Sequence, residues 1–123
     1  MPNNKRNHIL LVDDDKIIRK MVGSMLTALG YDVIAVKDGH EAIAAFNVNG
    51  FDVVLTDINM PHMDGWQLAI RLKDIKPDIP IIAITGEDPN NILARLPGSQ
   101  IIRALFKPFN MIVLRDTLNE FTR

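Results

Sequence analysis

This chain of 123 residues contains no cysteine, which excludes disulfides, thiolate metal sites and cysteine nucleophiles. It has no excess of either charge: fourteen basic residues face fifteen acidic ones, for a net charge of −1. Nucleic acid is therefore not expected as a direct partner, because binding to a phosphate backbone needs a basic stripe or surplus. No apolar run approaches the roughly 20 residues of a membrane span. The opening "MPNNKRNH" is polar and lacks the apolar centre of a signal peptide. These absences predict a cytoplasmic protein without membrane insertion. No glycine-rich loop follows the first apolar run, which argues against a nucleotide-binding Rossmann or P-loop domain. Repeats, low-complexity tracts and linkers are missing as well, so the expectation is a short polar arm over 1–7 and one domain over 8–123. What the chain does have, 47% hydrophobic and 24% charged residues, suits an ordinary globular domain.

Apolar runs alternate with helical patterns five times. Residues 8–13, 31–36, 51–57, 80–85 and 100–106 read as strands, the middle ones continuously apolar as befits strands covered on both faces. Between the first two strands, Ile17, Ile18, Met21, Val22, Met25, Leu26 and Leu29 recur at helical spacing, and Gly30 stops the helix. On this pattern Met21 and Met25 are expected in the core. "HEAIAAFN" and "GWQLAIRLKDI" form the second and third helices. A short fourth helix runs from Pro89 to Pro97-Gly98, and Met111, Leu114, Leu118 and Phe121 stripe the fifth. Strand–helix alternation with short loops implies right-handed crossovers and a parallel sheet. The fold class predicted is α/β: a flavodoxin-like, doubly wound, five-stranded parallel sheet of order 2-1-3-4-5 with five helices. Such folds bind ligands beyond the carboxyl ends of their strands.

The polar residues that end the strands converge on that edge. The first strand ends in Asp13, followed by Asp14 and Asp15; the third ends in Asp57, the fourth in Thr85, and the fifth just before Lys107. Asp15 is the best candidate to cap the first helix. Asp13, Asp14 and Asp57 sum to −3, and crowded carboxylates raise one another's pKa. A divalent cation and Lys107 would neutralise them. Oxygen-only ligands select a hard ion such as Mg²⁺, which keeps several waters and takes one or two carboxylates. Asp14 and Asp57 are candidates for direct ligation, with Asp13 acting through water.

Four segments, "LLVDDD" (10–15), "VVLTDINMPHMDG" (53–65), "IIAITG" (81–86) and "LFKPF" (105–109), resemble the receiver domain of two-component response regulators in its stand-alone form. The resemblance covers the whole chain. It implies a phosphorylation-dependent signalling switch rather than a turnover enzyme. Asp57 would accept a phosphoryl group from a phosphohistidine on a histidine kinase or phosphotransfer protein. By the same resemblance Asp13 and Asp14 hold Mg²⁺ with the backbone carbonyl of Asn59, and Thr85 and Lys107 contact the phosphoryl group. Output to a downstream protein would leave through the face of the fourth helix, fifth strand and fifth helix.

The sequence departs from that family at Ala104, where receivers commonly carry a Tyr or Phe whose rotamer follows the threonine. Asn59 and Glu87 occupy positions that in the family tune phosphoryl lifetime. His8, His40 and His62 lack ligand spacing and read as surface residues, and Trp66 as a packing or partner-contact residue. Two rivals stand beside this reading. A receiver-like binding module without regulated phosphorylation, or a phosphate sink or relay, would share the fold. An aspartate-nucleophile phosphatase of the haloacid dehalogenase type would need an acid two residues after its nucleophile, and Asn59 cannot move that proton.

Overall fold

The structure is a computed structural model that describes residues 6–122. Of the polar arm at 1–7, residues 1–5 lie outside the described residues.

Strands and helices alternate throughout: β1 (His8–Val12), α1 (Lys16–Ala28), β2 (Asp32–Val36), α2 (Gly39–Val48), β3 (Val53–Asp57), α3 (Gly65–Ile75), β4 (Ile81–Thr85), α4 (Pro89–Arg95), β5 (Arg103–Phe106) and α5 (Met111–Asn119). The five strands are parallel in the order β2-β1-β3-β4-β5. This is the flavodoxin-like sheet expected from the sequence. Among the described residues, no helix is long and apolar enough to cross a membrane.

Local chemistry starts each helix. An Asp or Asn caps all five: Asp15, Asp38, Asp64, Asp88 and Asn110 each accept a backbone N–H of the first turn. Asp15 does so twice, from Ile17 at 2.9 Å and Ile18 at 3.2 Å, which is the capping role read from its position. Asp64 and Gln67 form a reciprocal capping box. Gly30, past the end of α1, takes φ +97°, a conformation that costs glycine nothing.

The sheet separates two cores. On one face Leu10, Val54 and Ile81 pack with Phe46, Leu68 and Leu72 of α2 and α3. On the other, Ile9, Leu55 and Ile84 pack with Val22 and Leu26 of α1 and with Leu114 and Leu118 of α5. Every residue of β3 and β4 is buried, which explains their unbroken apolar runs. The apolar stripe of α1 is wider than the strip of sheet available to cover it. Met21 is 46% exposed, which corrects its expected place in the core, and only Met25 of that pair packs against the buried cluster. Four strands begin later than their apolar runs, β2 and β4 by one residue, β3 by two and β5 by three. The Tyr31 N–H closes α1 on the Leu26 carbonyl, and the Ile101 N–H is taken by Ser99 Oγ.

Candidate phosphoryl site at the carboxyl edge of the sheet

Parallel pairing brings residues distant in sequence to one edge. Asp57 pairs in register with Ile84, and Thr85 with Phe106, so the ends of β3, β4 and β5 step along the edge one after another. The Asp13 N–H donates to Val36 O at 3.1 Å and extends the β1–β2 ladder by one residue. Asp13 therefore starts its turn from a fixed point.

Asp13 is fully buried and fully engaged. Its Oδ1 accepts the Asp15 N–H at 2.9 Å, and its Oδ2 accepts from Lys107 Nζ at 3.1 Å. Asp57 is 8% exposed; its Oδ1 accepts the Ile58 N–H at 2.8 Å, and its Oδ2 lies 3.6 Å from Lys107 Nζ. One ammonium thus spans two carboxylates carried by different strands. Asp14 is exposed, yet one oxygen from each of Asp13, Asp14 and Asp57 fits within a mutual distance of 4.8 Å. Adjacent residues of the same type accordingly differ: Asp13 is locked in the protein, and Asp14 faces solvent at the mouth.

Burial pushes the Asp57 carboxyl up to about 6. Lys107 opposes that rise, Asp13 and Asp14 add to it, and the Ile58 N–H opposes it. Withdrawal from water is thus the largest cause, because it penalises the ionised form.

Gly65 accounts for the backbone behind Asp57. Its N–H donates to Ile58 O at 2.8 Å, and a Cβ built there would clash with the Asp57 carbonyl oxygen. Only glycine lets α3 start this close to the strand end. That carbonyl also accepts from the Thr56 hydroxyl at 2.9 Å.

Across the cleft, Thr85 is 1% exposed and its Oγ1 accepts the Glu87 N–H at 3.0 Å. Its hydroxyl proton is left to donate elsewhere. The Lys107 N–H donates to Thr85 O at 2.8 Å, tying the two residues through backbone as well. Asn59 and Glu87, two residues beyond Asp57 and Thr85, line a groove shared with Trp66, Asn91 and Arg95. A Cβ at Gly86 would meet nothing within 4 Å, so the approach on that side is open.

Trp66 packs as its sequence context suggests, and the structure adds contacts that no sequence pattern announces. His8 is not a plain surface residue: its Nδ1 lies 2.7 Å from Gly50 O, and its ring lies against Phe51, at the opposite edge of the sheet from the site. Trp66 is buried, and the guanidinium of Arg95 lies 4.5 Å from the centre of its ring, joining α3 to α4. Arg19 donates to the Asp13 carbonyl at 2.8 Å. No motif marks these partners. The six-residue span from Asp13 to Arg19 was the one signal available for the last of them.

The family described as the response regulator receiver domain matches residues 9–119. The chain is 34% identical over 110 residues to the sensor histidine kinase RcsC of Salmonella typhimurium, covering 89% of this chain and 12% of that protein. It spans 12% to 27% of the length of the curated relatives it matches first. Among solved structures, the Vibrio cholerae chemotaxis protein CheY4 superposes with a TM-score of 0.89 at 32% identity, covering 95% of this chain and 99% of that one. The Thermotoga maritima response regulator TrrA, solved in complex with Mg²⁺ and BeF, gives 0.85 at 28% identity, with 94% and 98% covered.

Proposed function

The chain belongs to the response regulator receiver domain family, and from that premise we propose that Asp57 is the residue that accepts the phosphoryl group. It is a receiver domain of two-component signalling, a family of switches to which histidine kinases supply phosphate. The observation that carries the assignment is the single ammonium of Lys107 set between Asp13 and Asp57, at 3.1 and 3.6 Å. Of the acids at this edge, Asp57 combines a rigid strand seat with a carboxylate oxygen that no backbone N–H holds.

In the transfer, a carboxylate oxygen of Asp57 attacks phosphorus in line with the bond to the donor imidazole. An O–P bond forms, the N–P bond breaks, and the imidazole leaves with its electron pair and takes up a proton. Such transfers leave a protein little covalent work beyond position and charge neutralisation. With its carboxyl at about 6, Asp57 is mostly ionised at neutral pH. Lys107 can move its ammonium from the carboxylates to the incoming phosphoryl oxygens, and the free Thr85 proton can follow them.

The donor set fits Mg²⁺: three carboxylates that converge within 4.8 Å, all oxygen, with a net charge a dication offsets. Asp14 and Asp57 would ligate it directly with the Asn59 carbonyl, and Asp13, whose two oxygens already hold Asp15 and Lys107, would act through water. When bound, Mg²⁺ supplies a Lewis acid that draws charge from the transferring phosphoryl group.

The donor in this reading is a phosphohistidine on a histidine kinase or phosphotransfer protein. Output leaves through the face of α4, β5 and α5, where Leu93, Ile102 and Ile112 are about half exposed. Acetyl phosphate with Mg²⁺ tests the core of the reading. Intact mass should show one added phosphoryl group on the wild type and none on Asp57→Asn. Equal labelling of the variant would refute it.

A further inference from the structure

Asp13 and Asp14 are neighbours in the chain but are held by different means. Asp13 is tied through both carboxylate oxygens and its own N–H. Asp14 is exposed, and its carboxylate makes no hydrogen bond or ion pair with the described residues. Its position is therefore set by the backbone of the β1–α1 turn. The peptide linking the two aspartates is fixed on its carbonyl side by one side chain. Arg19, half-buried on α1, donates from its guanidinium to Asp13 O at 2.8 Å. A trans peptide is rigid and planar, so holding that carbonyl also holds the Asp14 nitrogen and Cα.

We propose that Arg19 is a positioning residue for the divalent-cation site, holding the Asp13–Asp14 peptide so that the Asp14 carboxylate stays within reach of Asp57. The inference rests on the reading of Asp13, Asp14 and Asp57 as a Mg²⁺ site. Positioning and plain electrostatics predict opposite signs. Arg19 is a cation beside three acids, so through charge alone its removal would tighten cation binding. As a positioning residue its removal loosens a ligand, and partners behind a ligand typically count for roughly tenfold or more in metal affinity.

Mg²⁺ alone, titrated into the full chain and followed by amide NMR shifts of residues 13, 14 and 57, separates the two. Arg19→Met, which keeps the aliphatic stem and removes charge and donors, should weaken Mg²⁺ binding by about tenfold. Arg19→Lys, which keeps a charged donor, should recover most of that loss. Arg19→Gln carries the same test as Arg19→Met should that variant not fold. Unchanged or tighter Mg²⁺ binding by Arg19→Met or Arg19→Gln would overturn the proposal. So would a lower melting temperature with affinity intact, which would make Arg19 a tether of α1 only. If the wild type itself shows no saturable shift at residues 13, 14 and 57, the cation-site reading fails and this inference with it. If the wild type binds and the variants bind no more weakly, only the inference fails.

Discussion

Asp57 closes a strand in which every residue is buried, whereas Lys107 follows a strand in which only Leu105 is. The same contrast holds for the helices beside them. Helix α3 buries Trp66, Leu68, Ala69 and Leu72 along eleven residues, while the seven residues of α4 bury Ile92 alone. The acid side of the cleft is thus embedded in close-packed core, and the Thr85–Lys107 side adjoins an element with few apolar anchors. Close-packed interiors have little freedom to shift, and sparsely anchored elements open at low cost. Under the proposed function this sets a fixed nucleophile beside a movable reporter, the arrangement a phosphorylation switch needs. On that reading the charge change would arise where the protein cannot yield and be felt where it can.

The sharpest way to break this contrast is to put the same methyl group on each side. Gly65→Ala drives a carbon into the Asp57 carbonyl oxygen and should cost about 2–4 kcal/mol. Gly86→Ala meets nothing within 4 Å and should stay within about 1 kcal/mol of wild type. Urea unfolding of the two variants measures both, and equal losses would erase the proposed difference in rigidity.

Next in size is the effect of pH on the metal-free protein. The folded-state pKa of Asp57 is raised from 3.8 to about 6, so the native state holds that proton more tightly than the unfolded chain. The resulting stability is fully present below about pH 3.8 and is lost as pH rises through about 6, by at most roughly 3 kcal/mol. Asp57→Asn should abolish that loss and be the more stable protein at pH 7. Saturating Mg²⁺ should offset the loss, because metal binding competes with protons and stabilises the folded state it binds. Melting temperatures from pH 4 to 8, with and without Mg²⁺, carry the comparison. By the same logic Asp14→Asn should stabilise the apo protein less than Asp57→Asn, since Asp14 is exposed and screened.

Smaller still is the contact between Arg95 and Trp66. Arg95→Ala should cost about 0.5–1 kcal/mol globally. Hydrogen exchange should show that loss concentrated in residues 89–96, with β3 unaffected. Uniform acceleration would mean that α4 is not a separately mobile element. The least effect is expected from Ala104→Tyr. Ala104 is half-buried at the edge strand and away from the acid cluster, so binding of beryllofluoride with Mg²⁺ should change by less than about threefold. In the wild type the same mimic should perturb amide signals from 85 to 107, and Thr85→Ala should confine the change to the surroundings of Asp57. A wild-type response that never reaches α4 would make this chain a phosphate sink or relay instead of a conformational switch.

Most of the fold was legible because its signals are local. The cap at Asp15, the stop at Gly30 and the period of α1 are each written within a few residues, and the chemistry acts over the same distance. The convergence of Asp13, Asp57, Thr85 and Lys107 was legible for a different reason. Parallel strands joined by right-handed crossovers deliver their carboxyl ends to one edge whatever lies between them. The exposure of Met21 was not legible, because a helical stripe records which side is apolar and not how much of it the sheet will cover.

The sequence by itself therefore determined the elements, their order in the sheet and the set of residues that meet at its carboxyl edge. Tertiary structure decided the states of those residues. It buried Asp13 and left Asp14 in solvent, set one Lys107 ammonium between two strands, and laid Arg19 on the Asp13 carbonyl and Arg95 on Trp66. Burial, charge pairing and pKa depend on every group within a few ångströms, and here those groups come from up to 94 positions away along the chain.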